Sequence, residues 1–322
     1  MKTTSYIFIW LACFCAAPFA GATTRTVTTL ADSGAGSLRA AITASLSGDI
    51  INFAPGLTNT ILLTSGQLLI GSNLTITGPG ANLLAISGND SSRVFNILPL
   101  ATVKISGLTI RNGRNAGANG PAGVIGHYSG YDGGVASGGA IFNQGTLTLV
   151  DCYVTANAAI GGNGGAGYQP DFPADSIGGV GGRGDGGAIY NLERLNALRC
   201  TFASNSVVGG TGGSGGASGA GIMDGGRGGT GQGGAIYNAG AAFLGLTNCT
   251  VSGNSVRGGN GGPAGFNTGG QTSWGGEGGV ATGGGIKAVT NVFALVNCTI
   301  SENTAFSSDG GSPGGYPSAY LQ

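Results

Sequence analysis

The sequence predicts an all-β solenoid, a parallel β-helix, and three observations favour this fold class. A Gly-Gly-Ala-Ile box recurs four times with a period close to 48 residues. Apolar and polar residues alternate within each repeat, which is the period of a β-strand. Each repeated piece has about 22 residues and is too short to bury its own core, so it must stack on its neighbours. Coils stacked about 4.8 Å apart place equivalent residues in ladders.

Three markers keep the same period along the chain. The box begins at Gly138, Gly186 and Gly233, and a degenerate copy begins at Gly283. A cysteine follows each box, and an asparagine follows each cysteine after five residues. The cysteines are Cys152, Cys200, Cys249 and Cys298, and the asparagines are Asn157, Asn205, Asn254 and Asn303. We expect the asparagines to stack at a corner, where their amides bond to one another and to the backbone.

The other recurring positions are expected to point inward. One aliphatic ladder is predicted from Ile141, Ile189, Ile236 and Ile286, and another from Val154, Phe202, Val251 and Ile300. The cysteines form a third ladder, and we interpret them as buried free thiols. Disulfide bonds are the alternative in an exported chain. However, parallel side chains on stacked coils keep the Cβ atoms farther apart than the roughly 3.8 Å of a disulfide.

Two N-terminal segments precede the boxes. Residues 1–22 are predicted to be a secretory signal peptide, because a lysine, a short apolar run and small residues follow one another there. The run is shorter than the about 20 apolar residues that span a membrane. Residues 23–112 are predicted to hold an N-terminal cap and the first coils. Leu38, Ile42 and Leu46 have helical spacing, so we expect a short amphipathic helix over the open end of the solenoid.

Glycine-rich insertions interrupt the coils between residues 113 and 305. They are predicted at 113–137, 160–185, 209–232 and 258–282, and a Gly/Ser-rich tail at 306–322. Two glycines in every three residues match an extended helix with three residues per turn, similar to polyproline II, whose bare faces can pack together. Flexible loops without fixed structure are the alternative.

Aromatic residues lie between the glycine-rich legs, where we expect the loop tips. Such residues are frequent at contact surfaces, and they are our candidates for partner binding. The candidates are Tyr128, Tyr131, Tyr168, Phe172, Phe266 and Trp274. In the alternative interpretation, each ring folds back and covers its own glycine legs.

Charge and composition exclude several functional classes. Thirteen basic residues balance 13 acidic ones among 322, so no positive field exists for nucleic acid. His127 is the single histidine, which leaves few groups for acid/base catalysis. No cofactor or metal site is predicted, because the cysteines recur without a convergent partner ligand. Arg183-Gly184-Asp185 matches an integrin-binding tripeptide, which we interpret as accidental.

The repeat resembles a known group of bacterial surface proteins. The Gly-Gly-Ala-Ile box followed by Phe202-Ala203-Ser204-Asn205 is similar to the polymorphic outer membrane protein repeat of surface adhesins. The segment Gly36–Ile42 resembles the CSLREA motif that begins many bacterial right-handed parallel β-helix proteins, with Gly36 in place of its Cys and Ala40 in place of its Glu. This resemblance implies a right-handed solenoid, surface display and adhesion. We do not expect the resemblance to extend to the membrane barrel that anchors the chlamydial members, so it does not imply membrane attachment.

The sequence therefore predicts a secreted or surface-displayed, adhesin-like structural protein without enzyme activity. Its partner would be an extracellular glycan or protein, and end-to-end self-association is a further expectation. No membrane span is expected in the mature chain. A polysaccharide lyase or hydrolase is one alternative, resting on fold analogy. An ice- or crystal-binding protein is another, through an outward series at Thr75, Thr109, Thr201, Thr250 and Thr299.

Overall fold

The chain folds as a right-handed parallel β-helix, as the repeat predicts. The structure, a computed structural model, describes residues 21–169, 174–218, 221–267, 272–290 and 292–313. Three long sheets form the walls. Sheet A contains Thr24–Val27, Asp49–Phe53, Leu74–Thr77, Thr102–Ser106, Thr146–Val150, Arg194–Leu198, Phe243–Thr247 and Phe293–Val296. Sheet B contains Asn59–Leu62, Leu84–Ser87, Thr109–Arg111, Tyr153–Thr155, Thr201–Ala203, Thr250–Ser252 and Thr299–Ser301. Sheet C contains Leu68–Ile70, Phe95–Ile97, Ile141–Asn143, Ile189–Asn191, Ile236–Asn238 and Ile286–Ala288.

Two further parallel sheets carry the chain into and out of the insertions. Sheet D contains Arg114–Ala116, Ala158–Ile160, Ser206–Val208, Ser255–Arg257 and Thr304–Phe306. Sheet E contains Ala136–Ser137, Gly184–Asp185, Gly231–Gln232 and Ala281–Thr282. A small two-stranded sheet pairs Ala217–Ser218 with Phe266–Asn267. Each predicted insertion therefore ends in a strand of sheet E, and two of the four, 113–137 and 160–185, also begin with residues of sheet D. The insertions predicted at 209–232 and 258–282 begin directly after a strand of sheet D.

Strand register confirms the predicted ladders, but their members in the last coil are less buried than expected: Ile286 is partly buried and Ile300 is 50% exposed. Ile141 pairs with Ile189, and the ladder continues through the next two boxes. Val154 pairs with Phe202 in the same way. Cys152, Cys200 and Cys249 are buried in the core that these sheets enclose, and Cys298 is partly buried against it. All four are free thiols, so the disulfide alternative is not realised.

The asparagine series forms a continuous hydrogen-bonded ladder. The side-chain amide of Asn157 donates to Asn205 Oδ1 at 2.9 Å, and that of Asn205 donates to Asn254 Oδ1 at 2.9 Å. Asn254 donates in turn to Asn303 at 2.8 Å. The backbone N–H groups of Asn157, Asn205 and Asn254 also donate to the next Oδ1. The buried amides are thereby satisfied, which is the condition for placing polar groups inside a core.

A short helix, Leu38–Ala44, covers the N-terminal end of the core. Ser37 begins it, accepting a hydrogen bond from the Ala40 N–H at 3.2 Å, and Leu38 and Ile42 are buried. Leu46 was expected on the same face, but it lies beyond the helix and is 59% exposed. The helix ends earlier because Ser45 has an extended backbone and donates its N–H to Ile42 O.

Asp32 ties this helix to the first coil. It pairs with Arg39 at 2.7 Å and accepts the backbone N–H groups of Thr64 and Ser65. Burial by itself raises the pKa of Asp32, but the hydrogen bonds from Ser65, Arg39 and Thr64 lower it to about 2. The carboxylate is therefore ionised, and it holds the cap against the solenoid.

The insertions form an ordered two-layer structure, which we call the glycine lobe: the described residues of 117–135, 161–183, 209–230, 258–280 and 307–313. Outgoing legs build one layer and returning legs the other. In one outgoing leg, Gly161, Gly164 and Gly167 each donate an N–H to the next outgoing leg at 2.8 Å. Gly182 donates across the layers to Gly162 at 2.7 Å. These N–H donors are three residues apart, which is the period of the predicted extended helix. The ordered packing of the glycine-rich legs is therefore confirmed.

Candidate functional site

Three stacked aromatic rings lie on the outer surface of sheet C. They occupy the position after the inward isoleucine of each box, and alternation along a strand turns that position outward. Phe142 and Tyr190 stack with ring centroids 5.3 Å apart, and Tyr190 and Tyr237 with centroids 5.2 Å apart. We call Phe142, Tyr190 and Tyr237 the aromatic row. Phe142 and Tyr190 are partly exposed, whereas Tyr237 is 7% exposed.

Cationic side chains lie at both ends of the aromatic row. The Arg93 guanidinium is 5.1 Å from the Phe142 ring centroid and donates to the backbone oxygens of Ser137 and Gly138. Burial lowers the pKa of Arg93 to about 10, so the group stays charged at neutral pH. At the other end, Lys287 follows Tyr237 in register. The row is therefore an aromatic stripe between two positive charges.

A cavity of about 400 Å³ opens at the Arg93 end of the aromatic row. Its lining combines one carboxylate, two guanidinium groups and several neutral polar side chains. The lining residues are Gln67, Asp90, Ser91, Ser92, Arg93, Arg114, Asn115 and Ala116. Arg93 belongs to both features, because it also donates to Gln67 Oε1 at 2.7 Å.

A second row of side chains, from sheet E, lies beside the aromatic row. We call it the polar row, and strand register aligns its four members: Ser137, Asp185, Gln232 and Thr282. Asp185 is completely buried, and within the described part of the chain neither of its oxygens accepts a hydrogen bond. The Thr282 hydroxyl is also buried, and among the described residues it has no hydrogen-bond partner. Buried oxygens without partners are rare in native structures, which makes this row unusual.

Arg183 is the charged group that compensates Asp185. Its Nε lies 2.7 Å from Asp185 Oδ2 without the alignment of a hydrogen bond, and the Arg183 side chain is 43% exposed. Burial raises the pKa of Asp185 to about 6, although the charge of Arg183 opposes the shift. Burial also raises the pKa of Tyr190 and of Tyr237, and the negative charge of Asp185 adds to both shifts. Asp185 can therefore gain or lose a proton near neutral pH.

The structure agrees with the interpretation of the Arg183-Gly184-Asp185 tripeptide as an accidental match. As an integrin motif it would have to present both charges to a partner, but Asp185 is buried and paired with Arg183. The tripeptide is instead the strand Gly184–Asp185 of sheet E together with the residue before it. A signal for the aromatic row was present in the sequence, because the fifth residue of three boxes is Phe142, Tyr190 or Tyr237.

The predicted contact residues are distributed over the glycine lobe. The Tyr131 ring stacks on His127 with centroids 4.3 Å apart and is 42% exposed, while Tyr128 and Tyr168 lie 6.1 Å apart. Two further candidates, Phe266 at 60% and Trp274 at 63%, are among the most exposed rings. They belong to an outgoing and a returning leg, so they lie on different layers. Phe172 falls outside the described residues.

The threonine series proposed for ice or crystal binding is not a single row. Thr75 belongs to sheet A, where it pairs with Ile50 and Lys104. The other threonines lie on sheet B, but Tyr153 occupies the position between Thr109 and Thr201. A flat, uninterrupted threonine face is therefore absent from these two described sheets.

No family model matches the chain, and no curated protein matches its sequence, so the predicted adhesin repeat and CSLREA-like start are not supported by a family match. Among solved structures, the major allergen from cedar pollen is 12% identical, with a TM-score of 0.30, over 94% of this chain and 83% of that chain. A pectate lyase is 15% identical, with a TM-score of 0.26, over 88% of this chain and 79% of that one. The A-module of a mannuronan C-5 epimerase from Azotobacter vinelandii is 13% identical, with a TM-score of 0.27, over 89% of this chain and 88% of that one.

These neighbours correct one expectation. The chain was expected not to be an enzyme, and this is contradicted because a pectate lyase and an epimerase are among its structural neighbours. The expectation rested on the small number of ionisable residues, which says nothing about how a fold concentrates them. Structural similarity at such low identities and TM-scores describes the fold, and it carries no activity over to this chain.

Membrane spans and metal ligands can be judged for the described residues. No helix there has the length and apolar character required to cross a membrane. In the same part of the chain, no three His, Cys, Asp or Glu side chains converge as metal ligands would. The predicted signal peptide falls almost entirely on residues 1–20, which lie outside the described residues.

Proposed function

We propose that this chain is a secreted, polysaccharide-active β-helix protein whose site is the polar row and the adjoining aromatic row. One observation carries the proposal: Asp185 is completely buried with Arg183 as its ion-pair partner, its charge acts on Tyr190 and Tyr237, and burial raises its pKa to about 6. A carboxyl group with such a pKa is suited to proton transfer at neutral pH. Secretion rests on the predicted signal peptide at residues 1–22.

The charges around the site favour an acidic, linear polymer. Arg93 and Lys287 lie at opposite ends of the aromatic row, so a chain running parallel to the solenoid axis meets a cation at each end. Arg183, the ion-pair partner of the buried Asp185, is itself partly exposed. A sugar carboxylate that recruits Arg183 frees Asp185 from its ion pair and makes its oxygens available for proton transfer.

The arrangement fits elimination better than hydrolysis. Glycosidases use two carboxyl groups on either side of the bond, whereas Asp185 is the single carboxyl of the polar row. In an elimination, Asp185 accepts the proton from the carbon next to the sugar carboxylate and the bond to the linking oxygen breaks. The Tyr190 phenol then donates a proton to the departing oxygen, and the product carries a double bond.

The proposal is tested with polygalacturonate and alginate as substrates. We expect new unsaturated ends, detected by ultraviolet absorbance, in numbers equal to the new reducing ends. Asp185→Asn should lower the rate by about 100-fold or more, as expected for loss of a proton-transfer group. Asp132→Asn is the matched control, because Asp132 is exposed on the glycine lobe. Absence of new ends from both polymers, or full activity in folded Asp185→Asn, would refute the proposal.

A second candidate function is contact with a glycan or protein through the glycine lobe. The exposure of Phe266 and Trp274 favours it, because these rings sit on a hydrogen-bonded scaffold and lose little freedom on binding. Tyr128, Tyr131 and Tyr168 form ring contacts nearer the first insertions, and Phe172 completes the proposed set. Surface display and adhesion, as in the adhesins that the repeat resembles, belong to this candidate.

Surface attachment of the purified chain tests this second function. Phe266→Ala combined with Trp274→Ala should abolish attachment to cells or extracellular matrix and leave the thermal melt unchanged. Val280→Ala serves as the control, because Val280 is 54% exposed on the same lobe and carries no ring. Attachment at full strength by the double variant would show that the rings do not make the contact.

A further inference from the structure

A second cavity, of about 310 Å³, lies on the outer surface of sheet B, away from the polar row of sheet E. It is formed by a change in side-chain size along one outward row. In register, this row contains Thr60, Ala85, Thr109 and Tyr153. Ala85 is short and leaves a depression, and Tyr153 is large and forms a wall. The volume lies within the range of small-molecule sites.

The charge in this cavity is positive. Arg111 is the one charged residue of the lining, and its guanidinium makes a single side-chain hydrogen bond, to the Thr60 hydroxyl at 3.0 Å. The remaining N–H groups of Arg111 have no partner in the described part of the chain. A guanidinium donates two parallel hydrogen bonds to an oxyanion, so the cavity selects an anionic group.

The other groups in the lining are neutral and can bind hydroxyl groups. Within the described residues, the side chains of Asn59, Asn82 and Thr155 and the hydroxyl of Tyr153 have no hydrogen-bond partner. The Tyr153 side chain is 38% exposed, which leaves a flat apolar surface available. A sugar ring has one apolar face and a rim of hydroxyl groups, and it matches both features.

The backbone at Asn59 supports the same assignment. Its φ angle is 97°, a conformation that side chains rarely adopt, and its N–H donates to Leu83 O at 2.8 Å. Strained residues of this kind are held by their surroundings and cluster at ligand sites. The strain sets the position of the Asn59 side chain at the rim of the cavity.

From this geometry we propose that the sheet B cavity binds a hexose unit carrying one anionic group, with the anion on Arg111 and the ring on Tyr153. The site is independent of Asp185 and of the function proposed for it. An anionic hexose can be a uronic acid or a sugar phosphate, which share the oxyanion. A single sugar of this size is expected to bind with a dissociation constant on the order of 1 mM.

The proposal is tested by titrating the full chain with galacturonate, glucuronate and glucose 6-phosphate, and with neutral galactose and glucose, followed by NMR. We expect saturable shifts for at least one anionic sugar, and binding at least about tenfold weaker for the neutral ones. The uronate and phosphate arms identify the anion. Arg111→Gln should weaken anionic-sugar binding about tenfold or more, and Arg111→Lys should recover part of it.

Thr250→Ala is the matched control, because Thr250 lies on the same outward row two coils beyond Tyr153. It should bind the anionic sugar like the unsubstituted chain, and thermal melts should confirm that each variant is folded. Three results would overturn the proposal: equal affinity for neutral and anionic hexoses, unchanged binding in folded Arg111→Gln, or no saturation at about 50 mM, far above the expected constant.

Discussion

Burial of a carboxyl group costs free energy, and the Asp185 side chain is completely buried. The Arg183 charge offsets part of the cost from a distance of 2.7 Å. The rest is relieved by protonation, which is why the pKa of Asp185 rises to about 6. Proteins keep such groups where proton transfer is required more often than where stability alone is required.

The pH dependence of stability follows from the direction of this shift. The ordinary pKa is 3.8 and the folded value is about 6, so the folded state holds the proton more tightly. The contribution of Asp185 is therefore most favourable below about pH 4, and stability is lost as the pH rises to 6. Asp185→Asn should remove this loss and raise the unfolding free energy at pH 7 by about 2 to 3 kcal/mol.

Urea unfolding of both proteins at several pH values between 4 and 8 provides the measurement. The difference between them should shrink as the pH falls toward 4. A constant difference across this range would mean that Asp185 does not change its protonation between pH 4 and 6.

At the scale of elements, the glycine lobe depends on close approach between backbones. A Cβ at Gly210 would lie 1.8 Å from the carbonyl oxygen of Gly162, and backbone cannot move aside as a flexible side chain can. The next residue in the leg, Thr211, is exposed. Two positions in three thus exclude every side chain, and the third carries the residues that face solvent.

Gly210→Ala should therefore destabilise the protein by about 3 kcal/mol or more, at the upper end of overpacking effects. Thr211→Ala, one residue away, should change the unfolding free energy by less than about 0.5 kcal/mol. Urea unfolding followed by circular dichroism measures both. Equal stability of the two variants would show that the legs are not packed as closely as these contacts require.

The same elements explain what the sequence could predict. Asn205 and its equivalents repeat without change in four coils, and identical residues at one period are by themselves enough to indicate a ladder. The polar row has the same geometry but contains Ser137, Asp185, Gln232 and Thr282. No common residue type marks it, and the environment of Asp185 depends on sheet E packing beside sheet C. The cavity near Arg111 escaped prediction for a similar reason, since it depends on the size difference between Ala85 and Tyr153.

At the scale of the whole molecule, the solenoid and the glycine lobe share their backbone and a second small core. Each outgoing leg continues a strand of sheet D, and each returning leg enters sheet E. Between these sheets, Ala136, Ala159, Val207 and Val256 form a buried apolar cluster separate from the main core. Opening the lobe would expose this cluster to water. It would also break the hydrogen bonds between the legs, whose N–H groups would then have to bind water instead. We therefore expect the lobe and the solenoid to unfold together.

Two sets of natural probes can test this coupling in the chain without residues 1–22, the predicted signal peptide, which holds Trp10, Cys13 and Cys15. Trp274 then reports on the lobe by fluorescence, and the buried thiols Cys152, Cys200 and Cys249 report on the solenoid core by their reaction with a thiol reagent. The hydrogen bond between the thiols of Cys200 and Cys152, together with burial, raises the pKa of Cys200 to about 12, so it stays unreactive in the folded state.

The fluorescence and labelling transitions should coincide in urea, because one cooperative unit loses both layers at once. Among these four described cysteines, Cys298 is partly exposed and should react before that transition. A fluorescence transition at clearly lower urea than labelling would instead show that the lobe opens on its own while the solenoid remains folded.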